Sequence, residues 1–227
     1  MALADRYTKD GADELVFLDI SATNEGRRTF AELVTEIAGV VNIPFTVGGG
    51  IRTTADVGRM LESGADKISV NTAAIENPSL LNELASEFGS QCVVIAIDAR
   101  YHVPSSTYRL STHGGSRMTE IDAHQWALES TDRGAGEILL TSMDRDGTKA
   151  GFEIELTRTI SESVTVPVIA SGGAGTVAHF AEVFGDGNAD AGLAASIFHY
   201  DEIPIPELKR SLHQLGIPIR MGNGWHI

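Results

Sequence analysis

Four aspartates stand directly after apolar runs, where a carboxylate can do chemistry. Asp19 ends LVFLD, Asp98 ends VVIAID, and Asp144 and Asp146 follow ILLTSM. A carboxylate in such a place is costly unless it is solvated, hydrogen-bonded or used. Desolvation also raises its pKa toward the range of general acid/base catalysis, and Asp98 is the position at which that use is expected. The ordinary alternative for any one of them is a helix cap or a loop hydrogen bond. Two glycine clusters supply a second kind of chemistry. Phe45-Thr46-Val47-Gly48-Gly49-Gly50 and Val168-Ile169-Ala170-Ser171-Gly172-Gly173 each run from a strand-like stretch into glycines and then into a helix-like stretch. Backbone N–H groups there can converge on an anion, and glycine lets the anion approach closely. Two such clusters point to a ligand with a phosphate at each end. Neither fits the G-x-x-x-x-G-K-[ST] or G-x-G-x-x-G pattern, which argues against nucleotide binding by those routes.

The two clusters belong to a longer repeat, which fixes architecture more firmly than local propensity does. Asp13-Glu14-Leu15-Val16-Phe17-Leu18-Asp19 recurs as Gly136-Glu137-Ile138-Leu139-Leu140-Thr141-Ser142, an offset of 123, and Val47 maps onto Ala170 at the same offset. Ala65-Asp66 maps onto Ala189-Asp190, an offset of 124. Strands are expected near 14–19, 44–48, 67–71, 92–98, 136–142, 167–171 and 191–196, most without polar alternation, as in parallel strands covered on both faces. Helices are expected between them, including Arg28 to Val40, one beginning near Thr53-Thr54, and one opened by Asn77-Pro78-Ser79. Alternating strand and helix over this length gives an α/β fold of the TIM-type (β/α)8 barrel class, with seven strands in this sequence. The run CVVIAIDAR has no upstream counterpart, because position 98 less the offset falls before residue 1; one quarter of the first repeat is missing.

One domain spanning residues 1–227 is expected, since such a barrel needs about 250 residues and the shortfall is about one βα unit. A net charge of −14 and a pI near 4.8 disfavour nucleic acid and anionic membranes as partners. No apolar stretch approaches a membrane span, and the first residues lack the apolar core of a secretory signal. Cys92 is the lone cysteine, so no internal disulfide forms and a cytoplasmic setting is expected. Cys92 and Trp126 read as core residues, Tyr101 to Met118 as a long loop or hairpin on the active face, and the seven histidines lack metal-ligand spacing. No cofactor or metal is implied.

The segments DELVFLDI, PFTVGGGIRT, GADKISVNTAA, VVIAIDA, GAGEILLTSMDRDGTKAGF, ASGGAG and AASIFH together resemble the cyclase subunit of imidazole glycerol phosphate synthase, of histidine biosynthesis. The resemblance runs from about Leu3 over nearly the whole chain. It implies that ammonia from a glutaminase partner is combined with a phosphoribulosyl-formimino aminoimidazole carboxamide ribotide. The products are imidazole glycerol phosphate and an aminoimidazole carboxamide ribotide. Carried over by position, Gly50, Asn71 and Thr72 match one phosphate site, and Gly147, Gly173, Ala195 and Ser196 the other. Asp98 matches a catalytic aspartate and Asp146 a substrate contact, while Asp19 and Ser171 line the same mouth. Glu14, Lys67 and Glu137 match a charged ring at the ammonia entrance, and Asp66 a position facing the glutaminase. Charge alone would make these an ordinary solvated cluster.

The resemblance also marks a departure. The family's other catalytic aspartate ends the first strand, and its lysine-bearing loop and the ring's arginine lie in the same missing unit. Impaired activity is expected, because ring closure and bond cleavage need a proton given and taken at different points. Unpaired strand edges at 14–19 and 191–196 invite self-association. Two alternatives stand beside the cyclase reading: a relative of the phosphoribosyl-formimino isomerase of the same pathway, and an inert barrel fragment that keeps phosphate binding or glutaminase docking.

Overall fold

A computed structural model describes residues 2–18 and 24–221 of the chain, with nothing said of the side chains of 24–29. Helix α1 (Ala2–Lys9) leads into β1 (Leu15–Leu18), followed by α2 (Asn24–Ala38), β2 (Phe45–Gly48), α3 (Thr54–Glu62) and β3 (Lys67–Val70). Next come α4 (Thr72–Glu76), α5 (Ser79–Phe88), β4 (Val93–His102), β5 (Thr107–Thr112) and β6 (Arg117–Asp122). The chain continues through α6 (Ala123–Asp132), β7 (Glu137–Ser142), α7 (Ile154–Ser161), β8 (Val168–Ser171), α8 (Val177–Gly185) and β9 (Ala191–Leu193). Two helices close the series, α9 (Ser196–His199) and α10 (Ile205–Gln214).

The sheet runs β1-β2-β3-β4-β7-β8-β9, all parallel, with β5 and β6 as an antiparallel excursion from β4. The seven expected strands are all present, and the fold is α/β of the TIM-barrel type. The repeat holds at the level of register. Leu15 pairs with Phe45 and Leu18 with Gly48; 123 residues on, Ile138 pairs with Val168 and Thr141 with Ser171. Thr46 pairs with Lys67, and the counterpart Ile169 pairs with Ala191. The halves meet where β4 pairs with β7, from Val94 beside Glu137 to Ala99 beside Ser142.

Val94, Leu139 and Ile169 form a buried cluster with Val16 and Leu193 packed on it, so side chains from β1, β4, β7, β8 and β9 fill one concave interior. Among the described residues, β1 and β9 each pair on one side only. In the helical layer, α1 crosses to the other edge. Arg6 donates to Asp201 at 3.1 Å and to the Phe198 carbonyl at 2.6 Å, and Tyr7 hydrogen-bonds His199.

Two apolar clusters lie between sheet and helices. The larger runs from Val34 through Ile68, Leu84, Ile95 and Trp126 to Val168, and the smaller joins Phe152, Ala170, Phe180, Val183, Ile197, Leu208 and Leu212. Trp126 is core, as its spacing implies. Cys92 is half-buried rather than buried, because it lies in the short 3₁₀ turn Ser90–Cys92 just before β4. The cap of α5 falls on Pro78, one residue later than expected, since Asn77 already ends α4. Tyr101 to Met118 is a hairpin. β4 extends past the barrel wall and returns as β5.

Candidate functional site

In a parallel sheet every strand end faces the same side, and the candidate residues separate cleanly along that polarity. After the strand C-termini stand Gly50, Asn71 with Thr72, Asp144 with Asp146 and Gly147, Gly173, and Ala195 with Ser196. Asp98 lies within β4, at the point where its pairing with β7 is about to end. Ser171 ends β8, level with Thr141 and Leu193. Asp19 lies outside the described residues.

Asp98 is the electrostatic centre of this face. Its carboxyl is pushed up to about 6, first by burial and then by the Asp146 carboxylate, while a hydrogen bond from Asn71 works the other way. That bond runs from Asn71 Nδ2 to Asp98 Oδ2 at 2.9 Å. Asn71 Oδ1 is buried with no partner among the described residues, leaving an acceptor beside the carboxyl. Asp144 takes the ordinary role instead: its Oδ2 accepts from the Tyr101 N–H at 2.7 Å and ties the hairpin to the loop after β7. The sequence did not foretell the link between Asn71 and Asp98, because the two are 27 residues apart, one just after β3 and the other within β4.

The glycine clusters adopt backbones that only glycine holds easily. Gly49, Gly50, Gly172 and Gly173 all have positive φ. A Cβ on Gly172 would lie 2.7 Å from the Ser142 carbonyl oxygen, and one on Gly173 would lie 2.1 Å from that of Gly151. Part of the donor set expected at the first cluster is already engaged. The amides of Arg52 and Thr53 both donate to Asp56 Oδ2, and the amide of Asp56 donates to Thr53 Oγ1, a capping box that starts α3. The amides left for an anion are therefore those nearer Gly50.

The opposite face carries Glu14, Lys67 and Glu137 at strand starts. Lys67 Nζ donates to Glu14 and to Glu137, each at 2.9 Å. Burial alone would lower the Lys67 pKa, but the hydrogen bonds to Glu137 and Glu14 outweigh it and hold the amine above its usual value. At Glu137 burial wins over the attraction of Lys67, with Glu14 and Asp190 adding to it, so its carboxyl also sits high. The ammonium thus holds together two carboxylates that would otherwise repel. Lys67→Met is expected to cost about 2 kcal/mol at pH 8, a loss that shrinks at pH 4 because the raised Glu137 carboxyl then takes up a proton and no longer needs the ammonium. Urea unfolding at the two pH values measures both. Asp66 Oδ2 accepts from the Phe45 N–H, and Asp190 Oδ2 from that of Val168, each at 2.9 Å. Asp190 was findable in the sequence as the repeat partner of Asp66.

Among the described residues no cluster of His, Cys, Asp and Glu could hold a metal ion, and no helix is long and apolar enough to cross a membrane. A cavity of about 290 Å³ is lined by Arg6, Tyr7, Phe198, Asp201 and neighbouring residues, none of them from the two faces just described.

Residues 1–204 match the family described as Histidine biosynthesis protein. The chain is 57% identical over 218 residues to the imidazole glycerol phosphate synthase subunit HisF of Bacillus pumilus (strain SAFR-032), covering 96% of the chain and 86% of that relative. The subunit HisF of Bacillus subtilis (strain 168) is 56% identical over 218 residues, with the same coverage. That of Flavobacterium psychrophilum is 55% identical over 221 residues, covering 97% of the chain and 87% of the relative.

Proposed function

The chain belongs to the histidine biosynthesis protein family, among the imidazole glycerol phosphate synthase cyclase subunits, and from that membership we propose that the strand-end face is where its chemistry takes place. The activity is ammonia-dependent closure of an imidazole ring with cleavage of the bisphosphate substrate. Imidazole glycerol phosphate and the aminoimidazole carboxamide ribotide leave as products. The observation that carries the assignment of the site is the carboxyl of Asp98, raised to about 6 beside Asn71 and Asp146. A group that titrates near neutrality can both take a proton from the incoming amine and give one to the departing nitrogen. Asn71 holds the carboxyl by its amide N–H, and its buried, unpartnered acceptor Oδ1 is left to meet a substrate N–H.

Gly50, Asn71 and Thr72 serve one phosphate, and Gly147, Gly173, Ala195 and Ser196 the other, with Ser171 lining the mouth between them and Asp146 facing Asp98. Two repeat-related glycine turns with positive φ support a substrate charged at both ends. On the opposite face, Glu14, Lys67 and Glu137 form the ammonia entrance and Asp66 faces a glutaminase subunit. Support there comes from the ion-paired cluster at the strand starts, closed by Lys67 across β1, β3 and β7.

The test is single-turnover conversion of phosphoribulosyl-formimino aminoimidazole carboxamide ribotide by the purified chain with excess ammonium chloride, following both products. Stoichiometric appearance of the two products is expected. Binding of the substrate with neither product formed sets the reading aside.

A further inference from the structure

We propose that the tip of the β5–β6 hairpin is a positioning part of the first phosphate site: the backbone N–H of His113 donates to Thr72 Oγ1 and turns the Thr72 hydroxyl proton toward the bound phosphate. This rests on the reading of Thr72 as a phosphate ligand. The contact is 3.1 Å long and joins residues 41 apart in sequence. A threonine hydroxyl has one proton and two lone pairs. With one lone pair filled by His113, the proton is directed away from the hairpin, and the hydroxyl meets an anion as a donor. Hydrogen bonds to a charged acceptor are about twice as strong as neutral ones, so the direction of that one proton matters.

The donor is held in place before any ligand arrives. His113, Gly114 and Gly115 all have left-handed backbones, at φ 54°, 64° and 81°. Gly115 sits so close to Met143 that a Cβ would lie 2.1 Å from its terminal methyl. The next residue, Asp144, accepts from the Tyr101 N–H at the base of the hairpin. The tip is therefore seated between the start of α4, which carries Thr72, and the loop after β7, which carries Asp146 and Gly147. The His113 imidazole turns elsewhere, with Nδ1 3.0 Å from Thr112 Oγ1, so the backbone rather than the side chain reaches Thr72.

Affinity for the bisphosphate substrate, measured by calorimetry on the full chain, separates the possibilities. His113→Gly keeps both the donor and the left-handed backbone and is expected to bind as the parent does. His113→Pro removes the donor and leaves the Thr72 hydroxyl unoriented, and is expected to weaken binding about tenfold, the size of losing the bond from that hydroxyl to the charged phosphate. Met143→Ala unseats the tip without touching the donor, is expected to weaken binding about threefold, and stands in where the proline variant does not fold. Neither change should add to Thr72→Val, because both act through that hydroxyl. If Thr72→Val itself leaves affinity unchanged, the phosphate reading of Thr72 fails and takes this inference with it. If Thr72→Val weakens binding while His113→Pro and Met143→Ala do not, or weaken it equally in the Thr72→Val background, the hairpin has no part in the site.

Discussion

Asp98→Asn is expected to lower single-turnover conversion by about 10²–10⁴-fold, the range for loss of one acid/base group, while making the folded protein more stable at neutral pH. The second half follows from the sign of the shift. The Asp98 carboxyl has an ordinary value of 3.8 and is raised to about 6 in the fold. Between those values the folded chain binds a proton that the unfolded chain has released. Stability from this group is therefore greatest below about pH 4, declines as pH rises through about 6, and at pH 8 leaves a penalty of about 3 kcal/mol. Asparagine fills the same space without the charge and relieves most of that penalty. Thermal unfolding of the two proteins at pH 4 and pH 8 measures it: the gain should be present at pH 8 and absent at pH 4. The neighbours fix the direction of two further shifts. Asp146→Asn removes a repulsion and lowers the apparent pKa of Asp98, whereas Asn71→Leu removes a stabilising hydrogen bond and raises it. A variant that loses turnover with no change in the pH dependence of stability would falsify the account of Asp98 as a desolvated carboxyl.

Gly173→Ala is expected to cost about 3 kcal/mol of stability and to remove binding at one end of the substrate. Gly173 has φ 98°, and the added methyl carbon would fall 2.1 Å from a backbone oxygen, that of Gly151. No rotamer change relieves a clash with backbone. The same two residues are also bonded, Gly151 N–H to the Gly173 carbonyl at 2.8 Å, so displacing one displaces the loop after β7 that carries Gly147. Gly147→Ala is the control, since a Cβ there meets nothing within 4 Å despite its φ of 73°. Chemical denaturation of both variants distinguishes a clash from backbone strain alone, since strain predicts similar losses and the clash a much larger one at Gly173; substrate calorimetry on Gly173→Ala reads the loss of binding.

The sheet was legible because its signals are dense and repeated. Runs such as VVIAID and EILLTS read as buried parallel strands, and the repeat offset of 123 seen in the sequence recurs in the strand registers. The glycine clusters were legible for a related reason, since few other residues take their backbone angles. The hairpin was harder. Its strands TYRLST and RMTEID carry no alternation to read, since β5 is buried only at its last three residues, Leu110 to Thr112, and β6 has no buried residue. What the sequence could not show were bonds between segments distant in the chain: Asn71 to Asp98, the His113 amide to Thr72, and Tyr101 to Asp144. Each depends on register and on the reach of one side chain. Asp144 and Asp146 look alike in the sequence, yet the first anchors a hairpin and the second raises the pKa of Asp98.

The division of the core into two apolar clusters bears on how the molecule opens. Segments unfold locally in cooperative units bounded by their own apolar contacts, not uniformly along the chain. The smaller cluster draws its buried residues from Phe152 to Leu212, with the rings of Phe152, Phe184 and Phe198 gathered around Phe180. Because Leu156, Ile160 and Val168 pack in the larger cluster, the unit expected to open is the part after β8, while β1 to β8 keep their packing. Gly173, Ala195 and Ser196 would leave with it; Gly50, Asn71, Thr72 and Asp98 would stay. With the roles proposed above, a partly opened molecule keeps its acid/base centre and one end of its grip on the substrate, but holds a ligand charged at both ends by only one of them.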